Sequence, residues 1–336
     1  MSASLSPPQH QAAEVLAEIE ALAVRMQAVR AELGRIIFGQ AAVVEQTLIT
    51  LLCGGHVLLV GVPGLGKTKL VEALGTVLGL SAKRVQFTPD LMPADILGSE
   101  VLEEDANGRR SFRFVPGPVF CQLLMADEIN RASPRTQSAL LQAMQEFKVA
   151  VAGEDRVLPR PFHVLATQNP IEQEGTYPLP EAQLDRFLLE IRVPYPDLEA
   201  ERMMLLATTG PETSRPVPIL STERLLAAQA LIRRIPVGEA VLNAILDLVR
   251  GARPETAANE AVARHVAWGP GPRAAQALML SCRARALLDG RLAPSVDDVV
   301  ALALPVLRHR MALSFSARAE GVGLADLIAG LLERLR

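Results

Sequence analysis

The chain has 336 residues, of which 49% are apolar and 21% charged, and its formal net charge is −3. This length allows two domains with sizeable cores, and the composition is that of an ordinary soluble protein. Without an excess of basic residues, the composition argues against a nucleic-acid partner.

The start of the chain and its apolar stretches bear on location. The first ten residues lack the basic start and apolar core of a signal peptide. The longest apolar region, 48–60, is interrupted by two glycines and a histidine and is too short to span a bilayer. Cys53, Cys121 and Cys282 have no metal-ligand spacing and lie in or beside apolar stretches, which favours buried free thiols. We expect a cytoplasmic protein without a membrane span.

The first fifty residues indicate two helices. Residues 1–9 contain several serines and prolines and are expected to lack regular structure. Apolar residues at helical spacing predict a helix over 11–33, and a second apolar helix ends near Leu52. Between them lie Ile37, Phe38, Gly39 and Gln40. This short segment could pack on a purine base or form ordinary core, and the residues alone leave both open.

A phosphate-binding loop follows the second helix. The apolar run 56–60 predicts a buried strand, and the spacing of Leu70, Leu74 and Leu78 predicts a helix. The segment between them matches the pattern G-x-x-x-x-G-K-[ST] with Gly61, Val62, Pro63, Gly64, Leu65, Gly66, Lys67 and Thr68. Lys69, the next residue, is also a candidate for nucleotide binding. Glycines let backbone N–H groups hold anionic oxygens, and the helix N-terminus faces them. Lys67 is predicted to contact the β- and γ-phosphates and Thr68 to bind Mg²⁺.

An acidic pair ends a later strand. A strand over 84–87 precedes a turn and a short helix near Pro93, and Asn107-Gly108 predicts a hairpin between strands 100–102 and 111–114. The apolar run 121–126 then leads into Asp127 and Glu128. Asp127 is predicted to hold Mg²⁺ through water, and Glu128 to act as general base on the attacking water. The alternative is a surface pair that caps the next helix.

Another strand end carries Asn169. A helix over 133–147 and a hairpin formed by 149–151 and 157–158 precede a core strand over 163–167. Residues at the carboxyl ends of parallel strands face the ligand crevice, so Asn169 is predicted to orient the lytic water or the γ-phosphate. The alternative is a residue that only forms a turn.

Two arginines are candidates for transition-state charge. Arg186 follows a proline-containing turn in a short helix over 181–187, and it either neutralises developing charge or pairs with Asp185 or Glu181. Residues 194–197 (Pro-Tyr-Pro-Asp) mark a domain boundary. Helices are predicted beyond it over 198–208, 222–234, 238–250, 272–288, 295–310 and 324–336. Arg273 lies in the first turn of the fourth, where the helix dipole disfavours a cation, so it has an anionic partner or a simple salt bridge.

In this order the motifs resemble those of the AAA+ ATPases and, more narrowly, of the MoxR family, over about 35–310. The matching stretches are 37–40, 61–68, 87–95, 117–120, 126–132, 166–170, 177–187, 272–274 and 307–310. The resemblance implies an α/β fold: an AAA+ P-loop NTPase core, with a parallel sheet flanked by helices, and a C-terminal α-helical lid domain. It implies a helix-2 insert over 91–118 and a pre-sensor-1 hairpin over 147–162. The expected domains are an N-terminal helical extension (1–33), the ATPase core (34–194) and the lid (195–336).

The resemblance also implies roles for single residues. Asn169 matches the first sensor, Arg186 the arginine finger that acts on the neighbouring subunit's nucleotide, and Arg273 the second sensor. Residues 37–40 then suit adenine, with Ile37, Gly39 and Gln40 as contacts. The implied cofactors are ATP and Mg²⁺, and the implied assembly is a homo-oligomeric ring, usually a hexamer.

The function that the resemblance implies is an ATP-driven chaperone that remodels or matures client proteins. A separate partner with a von Willebrand factor A domain is expected. The alternatives are a nucleic-acid motor, which the net charge argues against, and the motor subunit of a metal chelatase. A GTPase or a small-molecule kinase is disfavoured because the guanine signature N-K-x-D does not occur.

Overall fold

The computed structural model of the protein describes residues 7–104, 108–172, 175–210 and 215–335. The chain forms two compact units. The helical unit takes in the described parts of Met1–Glu32, Leu48–Cys53 and Ile219–Arg336, and the sheet unit takes in Leu33–Thr47 and Gly54–Pro218. Residues 195–210 and 215–218, which the sequence assigns to the lid domain, therefore cluster with the sheet unit. The domain limits given above stay a prediction.

Helices and strands alternate through the first two thirds of the chain. In order they are α1 (Pro7–Ile36), α2 (Ala41–Leu52), β1 (Val57–Val60), α3 (Lys67–Val77), β2 (Ala82–Gln86), α4 (Pro93–Leu97), β3 (Gly98–Glu104), β4 (Arg110–Pro116), β5 (Leu123–Asp127), α5 (Pro134–Glu146), β6 (Lys148–Val151), β7 (Glu154–Val157), β8 (His163–Gln168), α6 (Glu181–Leu184), β9 (Leu189–Arg192) and α7 (Leu198–Thr209). The remainder is mainly helical: α8 (Thr222–Ile232), α9 (Glu239–Gly251), α10 (Glu260–His265), β10 (Val266–Trp268), α11 (Pro272–Leu288), α12 (Val296–Leu307), β11 (Ala312–Leu313), α13 (Phe315–Ala319) and α14 (Leu324–Leu332).

The central sheet of the sheet unit is parallel. Within the described residues its strand order is β2-β5-β8-β1-β9. β1 reads Val-Leu-Leu-Val and is buried along its whole length, as expected of a strand covered on both faces. Because the strands run in one direction, Val60, Gln86, Asp127 and Gln168 end at the same edge. The predicted parallel sheet and helical C-terminal part are confirmed.

Two antiparallel hairpins extend from this unit. β3 pairs with β4, with Leu102 opposite Phe112, and β6 pairs with β7. The hairpins touch, because the Arg156 guanidinium lies 4.1 Å from the centroid of the Phe114 ring. Both predicted hairpins are present. The turn residue Asn107 lies outside the described residues.

Two buried histidines connect the start of the sheet to its surroundings. His56 Nδ1 accepts a hydrogen bond from the Val164 backbone N–H (3.0 Å), so its Nε2 donates to the Met144 carbonyl (3.1 Å). His163 Nδ1 lies 2.8 Å from the Gly55 carbonyl. Burial lowers the pKa of His56 to about 3 and that of His163 to about 4, so both rings are neutral at pH 7.

The helical unit contains a buried carboxylate with two cations. Asp298, which is fully buried, accepts hydrogen bonds from Arg285 Nη1 (2.6 Å) and from Arg291 Nη2 (2.6 Å), and it also bonds the Ser295 backbone N–H (2.8 Å). These donors keep the pKa of Asp298 low although burial alone would raise it. The cluster fixes the start of α12.

Several short elements differ from the prediction. Residues 7–9 begin α1, which corrects the expectation that residues 1–9 lack regular structure, because proline is compatible with a first helical turn. The first six residues lie outside the described part. The helices predicted over 181–187, 295–310 and 324–336 end earlier, at Leu184, Leu307 and Leu332. The strands β9, β10 and β11 and the helices α10 and α13 are additional.

Two further expectations concern cysteines and membranes. The three cysteines are free and buried, as predicted. No helix in the described ranges combines the length and apolar character that crossing a membrane requires.

Candidate functional site

The phosphate-binding loop connects β1 to α3, as predicted. Gly64 and Gly66 have φ values of 83° and 73°, in the left-handed region that glycine adopts without strain. Gly66 is the residue before the first turn of α3, and that turn contains no acidic side chain. The backbone N–H groups at this helix start are therefore suited to an anion.

Lys67 lies between the loop and the acidic pair. Its Nζ donates a hydrogen bond to the Gly61 carbonyl at 2.6 Å. Burial lowers the pKa of Lys67, and the nearby Asp127 and Glu128 carboxylates only partly oppose this shift. Thr68 follows in the same turn and is half-buried. The structure thus brings the lysine close to both carboxylates that the sequence singled out.

Asp127 ends β5 with both carboxylate oxygens engaged. Oδ1 accepts a hydrogen bond from the Thr167 hydroxyl at 2.6 Å. Oδ2 accepts two from the Arg84 guanidinium, from Nε at 3.1 Å and from Nη2 at 2.6 Å. Neither Thr167 nor Arg84 was predicted to take part. Thr167 lies one residue before the end of β8 and close to Asn169, which is a signal that could have identified it, whereas nothing in the local sequence marks Arg84.

Glu128 has an unusual backbone and two side-chain partners. Its φ and ψ are 56° and 50°, the left-handed region that non-glycine residues seldom adopt. Its backbone N–H donates to the Thr167 hydroxyl (2.9 Å). Its Oε2 accepts from Gln86 Nε2 (2.8 Å) and from Arg131 Nη1 (3.0 Å). Gln86 Oε1 in turn accepts from Arg84 (2.9 Å), so a continuous chain of hydrogen bonds joins the two carboxylates. Glu128 precedes a short 3-10 helix over 129–131, but its side chain makes no capping hydrogen bond there, and α5 is capped by Ser133.

Asn169 lies next to the start of the loop. The Gly61 N–H donates to the carbonyl of Gln168, and Asn169 is buried directly after it. Its Oδ1 accepts from the Ile171 backbone N–H (3.1 Å), which is a turn-forming contact. Asn169 thus makes a turn contact, which leaves both alternatives open, and its role at the γ-phosphate stays a prediction.

The two candidate arginines have different surroundings. Arg186, half-buried after α6, makes no ion pair in the part of the chain that the structure describes, so the alternative pairs with Asp185 and Glu181 are not seen. Arg273 belongs to the helical unit, where it is exposed in the first turn of α11. No described contact joins Arg186 to the loop, and its role and that of Arg273 stay predictions.

A cavity of about 290 Å³ lies beside the loop. Its lining residues come from three segments: Ile36, Ile37, Phe38 and Gln40; Pro63, Gly64, Leu65, Gly66 and Lys69; and Tyr195, Pro196, Glu201, Met204 and Thr208. Gln40 Nε2 donates to the Leu65 carbonyl at 2.8 Å and so connects the first segment to the loop. The third segment was not predicted, because it is more than 150 residues away in sequence from the first.

Gly39 shapes this cavity without lining it. Its φ is 69°, and a Cβ at this position would overlap the Ala200 Cβ of α7. Only glycine allows both the backbone conformation and the close approach of α7. In the segment 37–40, three residues (Ile37, Phe38 and Gln40) line the cavity, Gln40 also bonds to the loop, and Gly39 admits α7.

The donors present suit a nucleotide with magnesium. Mg²⁺ prefers oxygen ligands and usually takes one or two from the protein, with the rest from phosphates and water. The Thr68 hydroxyl and the Asp127 carboxylate provide such oxygens near a helix start that favours anions. Groups of three or more potential metal-ligating side chains are not found among the described residues, so the two oxygens would act together with phosphates.

Comparison with known proteins agrees with this geometry. Residues 56–189 match the family model of the ATPase family associated with various cellular activities (AAA), and 258–329 match the AAA lid domain. The chain is 43% identical to Chaperone MoxR1 of Mycobacterium tuberculosis over 90% of this chain and 79% of that protein. It is 34% identical to Protein MoxR of Paracoccus denitrificans, over 86% and 89% of the two chains.

A solved structure has the same fold. The crystal structure of a candidate ATPase from Cytophaga hutchinsonii superposes with a TM-score of 0.89 at 36% identity, over 97% of this chain and 98% of that one. Sequence relatives, family models and structure therefore agree over most of the chain. The chain belongs to the MoxR family of AAA+ ATPases.

Proposed function

We propose that the protein is an Mg²⁺-dependent ATPase that works as a chaperone in a homo-oligomeric ring. One observation carries the ATPase part of this proposal. Lys67, Thr68, Asp127 and Glu128 lie at one edge of the parallel sheet, beside a cavity between the loop and residues 36–40. Membership of the AAA+ family supports ATPase activity in general. The four named residues specify where ATP and Mg²⁺ would bind in this chain.

The binding roles follow from the chemistry of each group. Backbone N–H groups of 61–68 hold the phosphates, and Lys67 contacts the β- and γ-phosphates. Thr68 and Asp127 hold magnesium, which when bound would neutralise charge on the phosphates. The cavity holds adenine against Ile37, while Gln40 holds the loop through the Leu65 carbonyl and Gly39 sets the width of the cavity.

The hydrolytic roles fall to residues at two strand ends. Glu128 takes the proton from the attacking water as general base, and Asn169 orients that water. Gln86 and Arg131 both donate hydrogen bonds to Glu128 Oε2, so this oxygen is occupied by protein donors. In the proposal, the attacking water reaches Oε2 when these two donors move away.

The ring is proposed from the two arginines. Arg186 lies without an ion pair in the described part of the chain, which is consistent with a partner on another subunit. In the proposal it acts on the nucleotide of the neighbouring subunit in a hexamer, and Arg273 reports the nucleotide from the lid.

The client and the adaptor rest on relatedness. One relative is named a chaperone, and we extend that activity to this chain: remodelling or maturing of client proteins in the cytoplasm. A separate protein with a von Willebrand factor A domain is the proposed adaptor.

Mixing two inactive variants tests the ring. Arg186→Ala should bind ATP but hydrolyse it about 10³-fold or more slowly, as is typical of a lost arginine finger. Lys67→Ala should bind ATP weakly. If the site is completed between subunits, a mixture regains activity, because a Lys67→Ala subunit supplies Arg186 to an intact loop. An inactive mixture of variants that do co-assemble would contradict completion between subunits, and normal turnover by Arg186→Ala would contradict the finger role.

A trapped pull-down tests the chaperone proposal. Glu128→Gln, with ATP and Mg²⁺, should hold partners that the Lys67→Ala control does not retain. Enrichment of a client together with a protein that contains a von Willebrand factor A domain supports the proposal. Enrichment of nucleic acid or of chelatase subunits would instead support one of the other two motor functions.

A further inference from the structure

We infer that the Arg84 guanidinium competes with magnesium for the Asp127 carboxylate, and that Arg84 thereby sets the Mg²⁺ concentration at which nucleotide binds tightly. This inference rests on the proposed nucleotide site. It assigns a role to a residue on β2 that belongs to none of the motifs discussed above.

The hydrogen bonds of Asp127 carry the inference. An ionised carboxylate offers about four acceptor sites, two on each oxygen. Arg84 Nε and Nη2 take both sites of Oδ2, at 3.1 and 2.6 Å, and the Thr167 hydroxyl takes one site of Oδ1. One site of Oδ1 is left. A magnesium-bound water that donates to Oδ2 competes directly with Arg84 for that oxygen.

The difference in exposure between the two side chains indicates that Arg84, and not Asp127, moves when the ion pair opens. The Arg84 side chain is 50% exposed, whereas that of Asp127 is 13% exposed. A half-exposed guanidinium that leaves its partner regains water, and such pairs contribute little stability. Asp127, fixed at the end of β5 by Thr167, stays where a metal ligand is needed. The arginine is the partner that moves.

The displaced guanidinium also contacts the neighbour of the general base. Arg84 Nη2 donates to Gln86 Oε1, and Gln86 Nε2 donates to Glu128 Oε2. The orientation of the Gln86 amide is set by these two contacts. When Arg84 leaves Asp127, Gln86 loses the contact that holds its amide in place for Glu128. Metal binding at one carboxylate is thereby linked to release of the other.

Magnesium titration of nucleotide binding tests the competition. A fluorescent ADP analogue is held at constant concentration while free Mg²⁺ is varied, for the full-length protein. Arg84→Gln should lower the Mg²⁺ midpoint by about two- to fivefold, the range expected from losing a partly exposed ion pair. Affinity without Mg²⁺ should change by less than about twofold, because a competing cation acts only on the metal.

Two further variants separate competition from simple charge removal and from misfolding. Arg131→Gln removes a similarly exposed cation that pairs with Glu128 instead, and its midpoint should match the wild type. Arg84→Lys keeps the charge but cannot donate two parallel hydrogen bonds, so its Mg²⁺ midpoint should lie between those of Arg84→Gln and the wild type. Thermal unfolding of each variant shows that the fold is kept.

The outcomes are distinct. An unchanged or higher midpoint for Arg84→Gln, or an equal shift for Arg131→Gln, overturns the competition. Wild-type binding that does not respond to Mg²⁺ overturns the competition too and leaves nucleotide binding itself standing. A wild-type protein that binds no nucleotide at any Mg²⁺ concentration overturns the proposed function as well.

Discussion

The two ends of the candidate nucleotide site are built differently. The cavity end is lined largely by apolar side chains and loop backbone, and its width depends on one close approach, Gly39 to Ala200. At the phosphate end, Lys67, Asp127 and Glu128 each bind another protein group. The difference indicates that a base can enter the cavity without breaking polar contacts, whereas phosphates and metal must exchange existing ones. Affinity and control are thus assigned to opposite ends of one site.

Glu128→Gln gives the largest expected effect and isolates chemistry from binding. Turnover should fall by about 10²–10⁴-fold, the usual contribution of a general base. ATP affinity should change by less than about threefold, because the amide keeps the shape and most contacts of the side chain. Single-turnover hydrolysis and equilibrium binding measure the two quantities. A matched loss in both would mean that Glu128 mainly holds the nucleotide.

Lys67→Ala is expected to act on binding at the same end. The lost charge-assisted hydrogen bonds to phosphate should weaken ATP binding by about 10–100-fold. The Gly61 carbonyl, which Lys67 contacts, also loses its donor. Adenosine, which has no phosphates, is the control, and calorimetry with both ligands makes the comparison. Equal losses for ATP and adenosine would show that the lysine supports the loop and not the phosphates.

Acid should lower the stability of the sheet unit, which carries both ends of the site. His56 has a pKa of about 3 in the folded protein and about 6.5 when unfolded, so the unfolded state takes up the proton first as pH falls. This stabilisation is complete above pH 6.5 and is lost progressively as pH drops toward 3. Between pH 7 and 5 it decreases by about 2 kcal/mol.

Denaturant unfolding at the two pH values measures this loss. His56→Gln should be less stable at pH 7 but show a pH dependence smaller by about the same 2 kcal/mol, with His163 still contributing. An unchanged pH dependence in that variant would mean that the acid sensitivity arises elsewhere.

Gln40→Ala is the smallest expected change and tests the cavity end. Loss of its hydrogen bond leaves the buried Leu65 carbonyl without this donor, which should lower the stability of the protein by about 0.5–1.5 kcal/mol. Binding should weaken by about two- to tenfold, equally for ATP and GTP, because the contact is to the loop and not to a base edge. Competition of the two nucleotides against a labelled analogue measures this. A loss specific to ATP would instead place Gln40 on adenine.

Local sequence identified the main groups of the site but not their partners. The loop, Asp127 and Glu128 are marked by residue type and by the strands that precede them. Arg84 and Gln86 contact these carboxylates from a strand 41 or more residues earlier, and an arginine in an exposed strand is common. Only the register of β2 against β5 brings them together. Pairing between distant strands cannot be predicted from local pattern.

Short elements were missed for a related reason. β9 has only the four residues Leu189–Arg192, and Glu190 within it is buried although it is charged. Its position depends on β1, with which it pairs in parallel. The alternation of apolar and charged residues there is a signal, but four residues are too few to distinguish a strand from a loop. The long helices, with several turns of periodic apolar residues, were predicted within a few residues of their ends.

The left-handed backbone of Glu128 has an evolutionary consequence. A non-glycine residue in this conformation costs about 1–2 kcal/mol relative to glycine, and asparagine also adopts it more readily. Selection for thermal stability alone would therefore favour glycine or asparagine at this position, and each such substitution would remove the carboxylate. The proposed general base therefore carries a conformational cost of its own, and libraries that screen this protein for stability should exclude position 128.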